Sequence, residues 1–221
     1  MCTGVEMRIL GRLLIVFAYP ALLLGLILYE NHVCGWPRSL WEDAVCKAPD
    51  KARNQANLGM AYMHQGQFNI GLEHLALAER IARERPTVDS DAQHVGPNAV
   101  ASMSAFYIET SIPKNLEKAD QILEAARNHY PPNEGVLANS IELMLRDGDL
   151  ERAEGLAIAA LKQLPHSPWI YVQRAEVAAM RGECDLRARL LLGAAKQQPM
   201  IAIHIARGVI QLRPCVDSGG F

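Results

Sequence analysis

Residues 148–165 of this 221-residue chain read GDLERAEGLAIAALKQLP, and residues 182–199 read GECDLRARLLLGAAKQQP. Both stretches start on glycine, end on proline and carry an alanine at the same place, so they align without a gap after a shift of 34 residues. Pro131, Ala126 and Ala119 continue this spacing one unit further back. Because several residue types share one period, the chain is predicted to consist of repeats of this length.

Each recurring residue type has a mechanical role in a pair of antiparallel helices. The small side chains of Ala126, Ala160 and Ala194 let two helices approach closely. The proline ends the second helix of each pair, because it lacks an N–H group and clashes with the preceding turn. Gly148 and Gly182 fall in the turn between paired helices, where a positive φ costs little only for glycine. The sequence therefore predicts an all-α fold, an α-solenoid of stacked helix pairs.

The repeat frame also predicts the domain boundaries. Four repeats are expected, at 52–85, 100–133, 134–167 and 168–201. The stretch between the first two, PTVDSDAQHVGPNA, is rich in Pro, Gly and Asp and predicts an inserted loop at 86–99, or a helix extension followed by a loop. Residues 30–51 are interpreted as a junction and an incomplete leading repeat. Residues 202–221 are interpreted as a capping helix and tail, with apolar periodicity over Ile201–Leu212.

The motif NLGxAYxxxGQ, from Asn57 to Gln67, and the stretch Gly148–Pro165 resemble the tetratricopeptide-repeat (TPR) superfamily. The resemblance covers about residues 50–200 and implies a stack of helix pairs. It implies little about function, since proteins of this fold bind many unrelated partners.

A narrower resemblance lies in the junction, SLWEDAVCKAPDKARNQANLG (39–59). It is similar to the segment between the last membrane helix and the repeat tail of polytopic glycosyltransferases and O-oligosaccharyltransferase-type enzymes. The likeness depends on Trp41, Pro49, Arg53 and Asn57–Leu58–Gly59. Because the sequence predicts one membrane segment, at 13–29, and no catalytic membrane domain, the resemblance implies a repeat tail that works as a separate subunit.

Residues 13–29 read LLIVFAYPALLLGLILY and carry no charge. Extended back to Ile9 past Arg12, the segment reaches the roughly 20 residues that a helix needs to cross a bilayer. We interpret it as a single uncleaved transmembrane helix. A cleaved signal peptide is the first alternative, although no Ala-x-Ala cleavage site follows, and a buried helix of a soluble protein is the second. Arg8 and Arg12 precede the segment, which predicts residues 1–12 in the cytoplasm and the repeats on the outer, periplasmic side.

Composition and motifs argue against several classes of function. The formal net charge is −2 and the pI is near 6.4, whereas nucleic-acid-binding proteins usually carry a basic excess. HxxxH, HxH, CxxC and GxSxG motifs are absent from the sequence. The chain is therefore predicted not to be an enzyme and to use no metal or cofactor.

The first helix of each pair lines the concave side of such a stack, which predicts where a partner binds. The predicted groove residues are Arg53, Asn57, Met60, His64, Asn139, Glu142, Arg146, Trp169, Gln173 and Glu176. Asn57, Asn139 and Gln173 share one repeat position, and side-chain amides can both donate to and accept from a peptide backbone. This row is similar to the asparagine ladder of some peptide-binding repeat superhelices. The alternatives are solvated polar residues or interhelical hydrogen bonds, and Trp169 is either an exposed anchor or packed on the preceding repeat.

The charges in this set leave the chemistry of the ligand open. Arg53, His64 and Arg146 suit an acidic terminus, whereas Glu142 and Glu176 oppose it. A basic clamp for a C-terminal carboxylate is therefore not clearly present.

Two cysteines have a predicted geometric relation. Cys184 is expected at the start of the last repeat's second helix, and Cys215 follows the capping helix. Adjacent antiparallel helices bring these ends together, so a Cys184–Cys215 disulfide is predicted if the domain lies outside the cytoplasm. It would close a loop of about 30 residues and contribute ~3 kcal/mol. Free buried thiols are the alternative.

These observations predict a membrane-anchored TPR scaffold or adaptor. It would bind a protein or peptide partner, itself a membrane or envelope protein, and so assemble or stabilise an envelope complex. The alternative is an auxiliary, non-catalytic subunit of a membrane glycosyltransferase or oligosaccharyltransferase system.

Overall fold

The structure is a computed structural model that describes residues 37–85, 92–207 and 210–215. The predicted cytoplasmic stretch 1–12 and membrane helix 13–29 lie outside the described residues. Within the described part of the chain, no helix combines the length and apolar character needed to cross a membrane.

The described residues form ten α-helices and no strand, which confirms the all-α prediction. In chain order the helices are α1 (Pro37–Lys47), α2 (Ala52–His64), α3 (Phe68–Glu84), α4 (Ala92–Thr110), α5 (Pro113–His129), α6 (Glu134–Arg146), α7 (Leu150–Gln163), α8 (Pro168–Met180), α9 (Cys184–Gln197) and α10 (Pro199–Ala206).

Helices α2 to α9 form four consecutive pairs that stack side by side. Within the pairs, α2 packs on α3, α4 on α5, α6 on α7 and α8 on α9. The first helices of neighbouring pairs also touch, α2 with α4, α4 with α6 and α6 with α8. Helix α1 packs on α2 at one end, and α10 packs on α9 at the other. Each pair therefore buries its apolar face against its neighbours, as in an α-solenoid.

The turns within three of the pairs contain a glycine at positive φ. Gly66, Gly148 and Gly182 have φ of 75°, 77° and 75°. In the turn between α4 and α5 the positive φ falls instead on Ser111, at 54°. A positive φ is less favourable for a residue with a Cβ than for glycine. The α4–α5 turn therefore differs from the other three in having serine at this position.

The repeating prolines lie where helices stop. Helix α5 ends two residues before Pro131, α7 two residues before Pro165 and α9 two residues before Pro199. After two of these breaks a polar residue caps the next helix. The side-chain oxygens of Asn133 and Ser167 accept hydrogen bonds from the backbone N–H groups three residues on, which begins α6 and α8.

The repeating alanines lie at the contacts between helices. Ala126, Ala160 and Ala194 are fully buried, as are Ala119 and Ala153. A small side chain at these positions lets neighbouring helices pack closely against each other, in agreement with the role that the repeat period predicts.

The loop predicted at 86–99 does not match the structure over its second half, because α4 already begins at Ala92. Pro97 lies inside this helix and is fully buried. Gly96 lies against Tyr130, since a β-carbon on Gly96 would come within 2.5 Å of the tyrosine oxygen. Tertiary packing thus holds two poor helix formers in a helix and overrides local propensity.

The capping helix predicted over Ile201–Leu212 is shorter in the structure, where α10 ends at Ala206. Residues 210–215 are not helical. The backbone N–H of Arg213 donates to a side chain of α8 instead of to a helical carbonyl. A disulfide between Cys184 and Cys215, with a Cα–Cα distance of 5.8 Å, ties this segment to the start of α9.

Candidate functional site

Helices α2, α4, α6 and α8 line one continuous surface, here called the groove. It consists of a first section beside α1, a central section, and an acidic section at α6 and α8. The first and central sections share Met60 and Ser102, and the central and acidic sections share Trp169 and Gln173. Each of the ten residues predicted from the repeat frame lines one of these sections: Arg53, Asn57, Met60, His64, Asn139, Glu142, Arg146, Trp169, Gln173 and Glu176.

The first section lies between α1, α2 and the start of α4. Arg53 and Asn57 come from α2, and Trp41 comes from α1. The opposite side includes His94 and Asn98 from the N-terminal part of α4. His94 and Asn98 were not among the predicted groove residues, because both fall in the stretch 86–99 that was expected to be a loop.

The central section has a volume of about 820 Å³, within the range of about 300–1,000 Å³ that is usual for ligand clefts. Three aromatic side chains line it. Phe68 packs on Phe106 with ring centroids 4.9 Å apart, and Phe68 and Trp169 are 45% and 39% exposed. Exposed aromatic side chains in a cleft are the type that anchors a partner. The repeat frame identified Trp169 but missed Phe68, which begins the second helix of its pair.

The three amides predicted as a row lie on the groove but differ in their contacts. The side-chain amide of Asn139 donates to the backbone carbonyl of Ala101 at 2.7 Å and to Ser104 Oγ at 2.9 Å. It therefore joins α6 to α4, which is the interhelical alternative. The Gln173 side-chain oxygen is buried without a hydrogen-bond partner among the described residues. Asn57 lines the first section.

We expect Asn139→Asp to destabilise the stack by about 1–3 kcal/mol, because it replaces a donor with a carboxylate facing the Ala101 carbonyl. Asn57→Asp at the same repeat position is the matched control and should change stability by no more than about 0.5 kcal/mol. Urea unfolding followed by circular dichroism measures both. Equal losses in the two variants would show that the Asn139 hydrogen bonds do not hold α4 and α6 together.

The acidic section contains an arginine that the repeat frame did not predict. Arg213 contacts Glu142 at 3.0 Å and Glu176 at 3.3 Å. Glu142 and Glu176 stand 34 residues apart in sequence and are neighbours on adjacent first helices. Two carboxylates at one repeat position favour a cation nearby, but this signal does not single out Arg213, which lies beyond the last repeat.

Burial and charge act in opposite directions on this ion pair. Burial raises the pKa of Glu176, and the hydrogen bond and charge of Arg213 oppose that rise, as does the charge of Arg187. Burial lowers the pKa of Arg213, but the hydrogen bond and charge of Glu142, followed by those of Glu176, outweigh it and leave that pKa raised. The pKa of Glu176 remains raised, because burial outweighs these favourable contacts.

The three basic residues of the predicted set do not come together. Arg53 lines the first section and His64 the central one. Arg146 lies in the acidic section, where it contacts Glu142 at 3.0 Å and donates to Ser111 Oγ at 2.7 Å. The groove therefore has no cluster of cations from these residues. Among the described residues, no three His, Cys, Asp or Glu side chains are arranged to hold a metal ion.

No family model matches the chain, and no curated protein matches it. Among solved structures, a thermophilic TPR protein of Thermus thermophilus is similar, with a TM-score of 0.59 and 20% identity over 84% of this chain and 95% of that chain. The fold is that of a TPR protein. YrrB, described as a TPR protein with an unusual peptide-binding site, has a TM-score of 0.46 and 15% identity over 80% of this chain and 86% of its own.

Proposed function

We propose that this TPR chain is a non-catalytic scaffold that binds an extended segment of a protein partner in its groove. The supporting observation is the continuity of the groove, whose neighbouring sections share lining residues and together include residues of all four first helices. A surface that runs along a stack suits an extended chain better than a compact small molecule.

The central section is the proposed anchoring point. Phe68, Phe106 and Trp169 present aromatic surface there, beside Met60 and Met63. An apolar side chain of the partner would remove this surface from water, which favours binding by about 25 cal/mol per Å² buried. Trp169 is the residue whose loss should cost most, because large aromatic side chains dominate interface energies.

We further propose that residues 13–29 anchor the chain in a membrane and that the repeats lie on the outer side, next to the envelope proteins that they assemble. The seventeen uncharged residues of this segment support the anchor. The likeness of residues 39–59 to the junction of polytopic glycosyltransferases supports a second candidate partner, the membrane domain of such an enzyme.

Site-specific photo-cross-linking in native membranes tests the proposal. A benzophenone amino acid replaces Ala105 in the central section or, as a matched control, Ile158 on the second helix α7, which lies outside the groove. We expect a covalent adduct of defined mass from position 105 and none from position 158. Trp169→Ala should reduce the adduct about tenfold or more, since loss of a hot-spot residue costs at least about 2 kcal/mol.

Mass spectrometry of the adduct then identifies the partner as an assembly component or a polytopic transferase. Adducts of equal yield from both positions, or an unchanged yield in Trp169→Ala, would show that the groove is not the binding surface.

A further inference from the structure

The C-terminal segment, defined here as residues 210–215, lies in the acidic section of the groove. Its residues 210–213 line the same depression as Glu142 and Glu176. Its apolar side chains pack beside Val172 of α8. The segment thus already occupies one end of the surface that the proposed function assigns to a partner.

Arg213 is held through its backbone as well as its side chain. Its N–H donates to Glu176 Oε2 at 2.9 Å, and its carbonyl accepts from Arg187 Nη2 at 3.0 Å. Both backbone groups of this residue are therefore satisfied by side chains of the stack. This is the way in which a groove holds an extended peptide, and it differs from the backbone bonding of a helix or strand.

The side-chain contacts of Arg213 select a guanidinium. Its Nη2 donates to Glu142 Oε1 at 3.0 Å and its Nη1 to Glu142 Oε2 at 3.3 Å, while Nη1 also donates to Glu176 Oε2 at 3.3 Å. A planar fork can meet both oxygens of one carboxylate, whereas the ammonium group of lysine is a single point charge. The pair of glutamates therefore fits arginine better than lysine.

The burial of Glu176 favours a cation at the position of Arg213. Glu176 is only 4% exposed, and among the described residues its carboxylate accepts hydrogen bonds from Arg213 alone, both through Oε2. A carboxylate buried to this degree is stabilised only when a cation is placed against it. Arg146 already contacts Glu142, and Arg187 donates its hydrogen bond to the Arg213 carbonyl. Another chain that replaced the segment and carried an arginine at this place would restore the contacts to both glutamates.

We infer that the acidic section is a binding subsite for an arginine side chain within an extended peptide of the partner, and that the chain's own segment 210–215 occupies it as a competitor. The disulfide between Cys184 and Cys215, two residues beyond Arg213, holds this competitor in place. The inference rests on the proposed function, because it concerns one end of the same groove.

Opening the disulfide requires a dithiol reductant. One thiolate of the reductant attacks a sulfur of the disulfide, forms a mixed disulfide and releases the other cysteine as a thiolate, which takes up a proton. The second thiol of the reductant then displaces the remaining cysteine. The products are two cysteine thiols and one oxidised reductant, a transfer of two electrons.

The test uses the full-length chain in mild detergent and a fluorescent, end-blocked peptide with the sequence IQLRP, which copies residues 210–214. A second peptide carries Gln in place of Arg. The peptides are titrated against the oxidised wild-type chain and against an Arg213→Gln/Cys215→Ser double variant. We expect the Arg peptide to bind the double variant at least about tenfold more tightly than the oxidised wild type, since a tethered competitor acts at an effective concentration of about 1 mM.

Specificity is tested within the double variant. The Gln peptide should bind about tenfold or more weakly than the Arg peptide, because hydrogen bonds between charged groups are the strong ones. Adding Glu176→Gln should weaken the Arg peptide by a similar factor. Adding Glu151→Gln, a carboxylate that is 96% exposed on α7, is the matched control and should leave binding unchanged.

A measurement on the unmutated chain is independent of how the variants fold. Hydrogen exchange in residues 210–215 should accelerate when dithiothreitol reduces the wild-type chain, while helix content stays constant. Unchanged exchange after reduction, or equal binding of the two peptides to a folded double variant, would overturn the inference. Cross-linking from position 105 is unaffected by either outcome, so failure of the arginine subsite and failure of the groove as a whole remain distinguishable.

Discussion

Replacing Ile141 with Ala is expected to lower the free energy of unfolding by about 2–5 kcal/mol. Ile141 has no exposed surface and lies in the cluster that joins α6, α7 and α8, with Leu145, Ile170 and Val177 among its neighbours. The substitution removes three carbon atoms from a close-packed contact between two repeats, and the surrounding helices can fill the space only in part. Urea denaturation monitored at the helical circular-dichroism band measures the loss.

Ile158→Ala is the matched control for Ile141. Ile158 is 37% exposed on α7, so the same chemical change should alter stability by no more than about 0.5 kcal/mol. Similar losses at the two positions would mean that α6 is not held between α7 of its own repeat and α8 of the fourth repeat.

Gly59→Ala is expected to cost about 1–3 kcal/mol, against the usual trend for a helical glycine. A β-carbon at this position would lie 2.9 Å from the Gly71 carbonyl oxygen and 3.1 Å from the Leu75 backbone nitrogen. Backbone atoms cannot turn aside as a flexible side chain can, so α2 and α3 would have to separate. Helix propensity alone would instead predict a gain of about 1 kcal/mol.

Gly155→Ala provides the contrast, since a β-carbon on Gly155 of α7 meets nothing within 4 Å. We expect this variant to gain up to about 1 kcal/mol. A gain in both variants would contradict the backbone contact between Gly59 and Gly71, and thermal unfolding of the two variants side by side distinguishes the outcomes.

The repeat frame predicted much of the site because position within a TPR repeat fixes the direction of a side chain. Trp169, Gln173 and Glu176 all line the groove as their positions on a first helix require. It failed for Phe68 and Arg213, since neither lies on the first helix of a repeat. Repeat position also did not predict what a side chain contacts. Asn139 has the same repeat position as Asn57, but its amide donates to a backbone carbonyl of α4.

The amino-acid sequence by itself determined the helix pairs, their period and their turns, because these depend on residues close together in the chain. Three features act within one helix pair: small residues at helix contacts, glycine at positive φ and proline after a helix. Because they recur every 34 residues, they specify the stack of helix pairs. Only the tertiary structure decided that α4 starts at Ala92, that residues 210–215 lie in the groove and that Arg213 meets two glutamates. Those features arise from contacts between residues far apart in sequence, such as Gly96 with Tyr130 and Arg213 with Glu142, where packing and charge outweigh local preference.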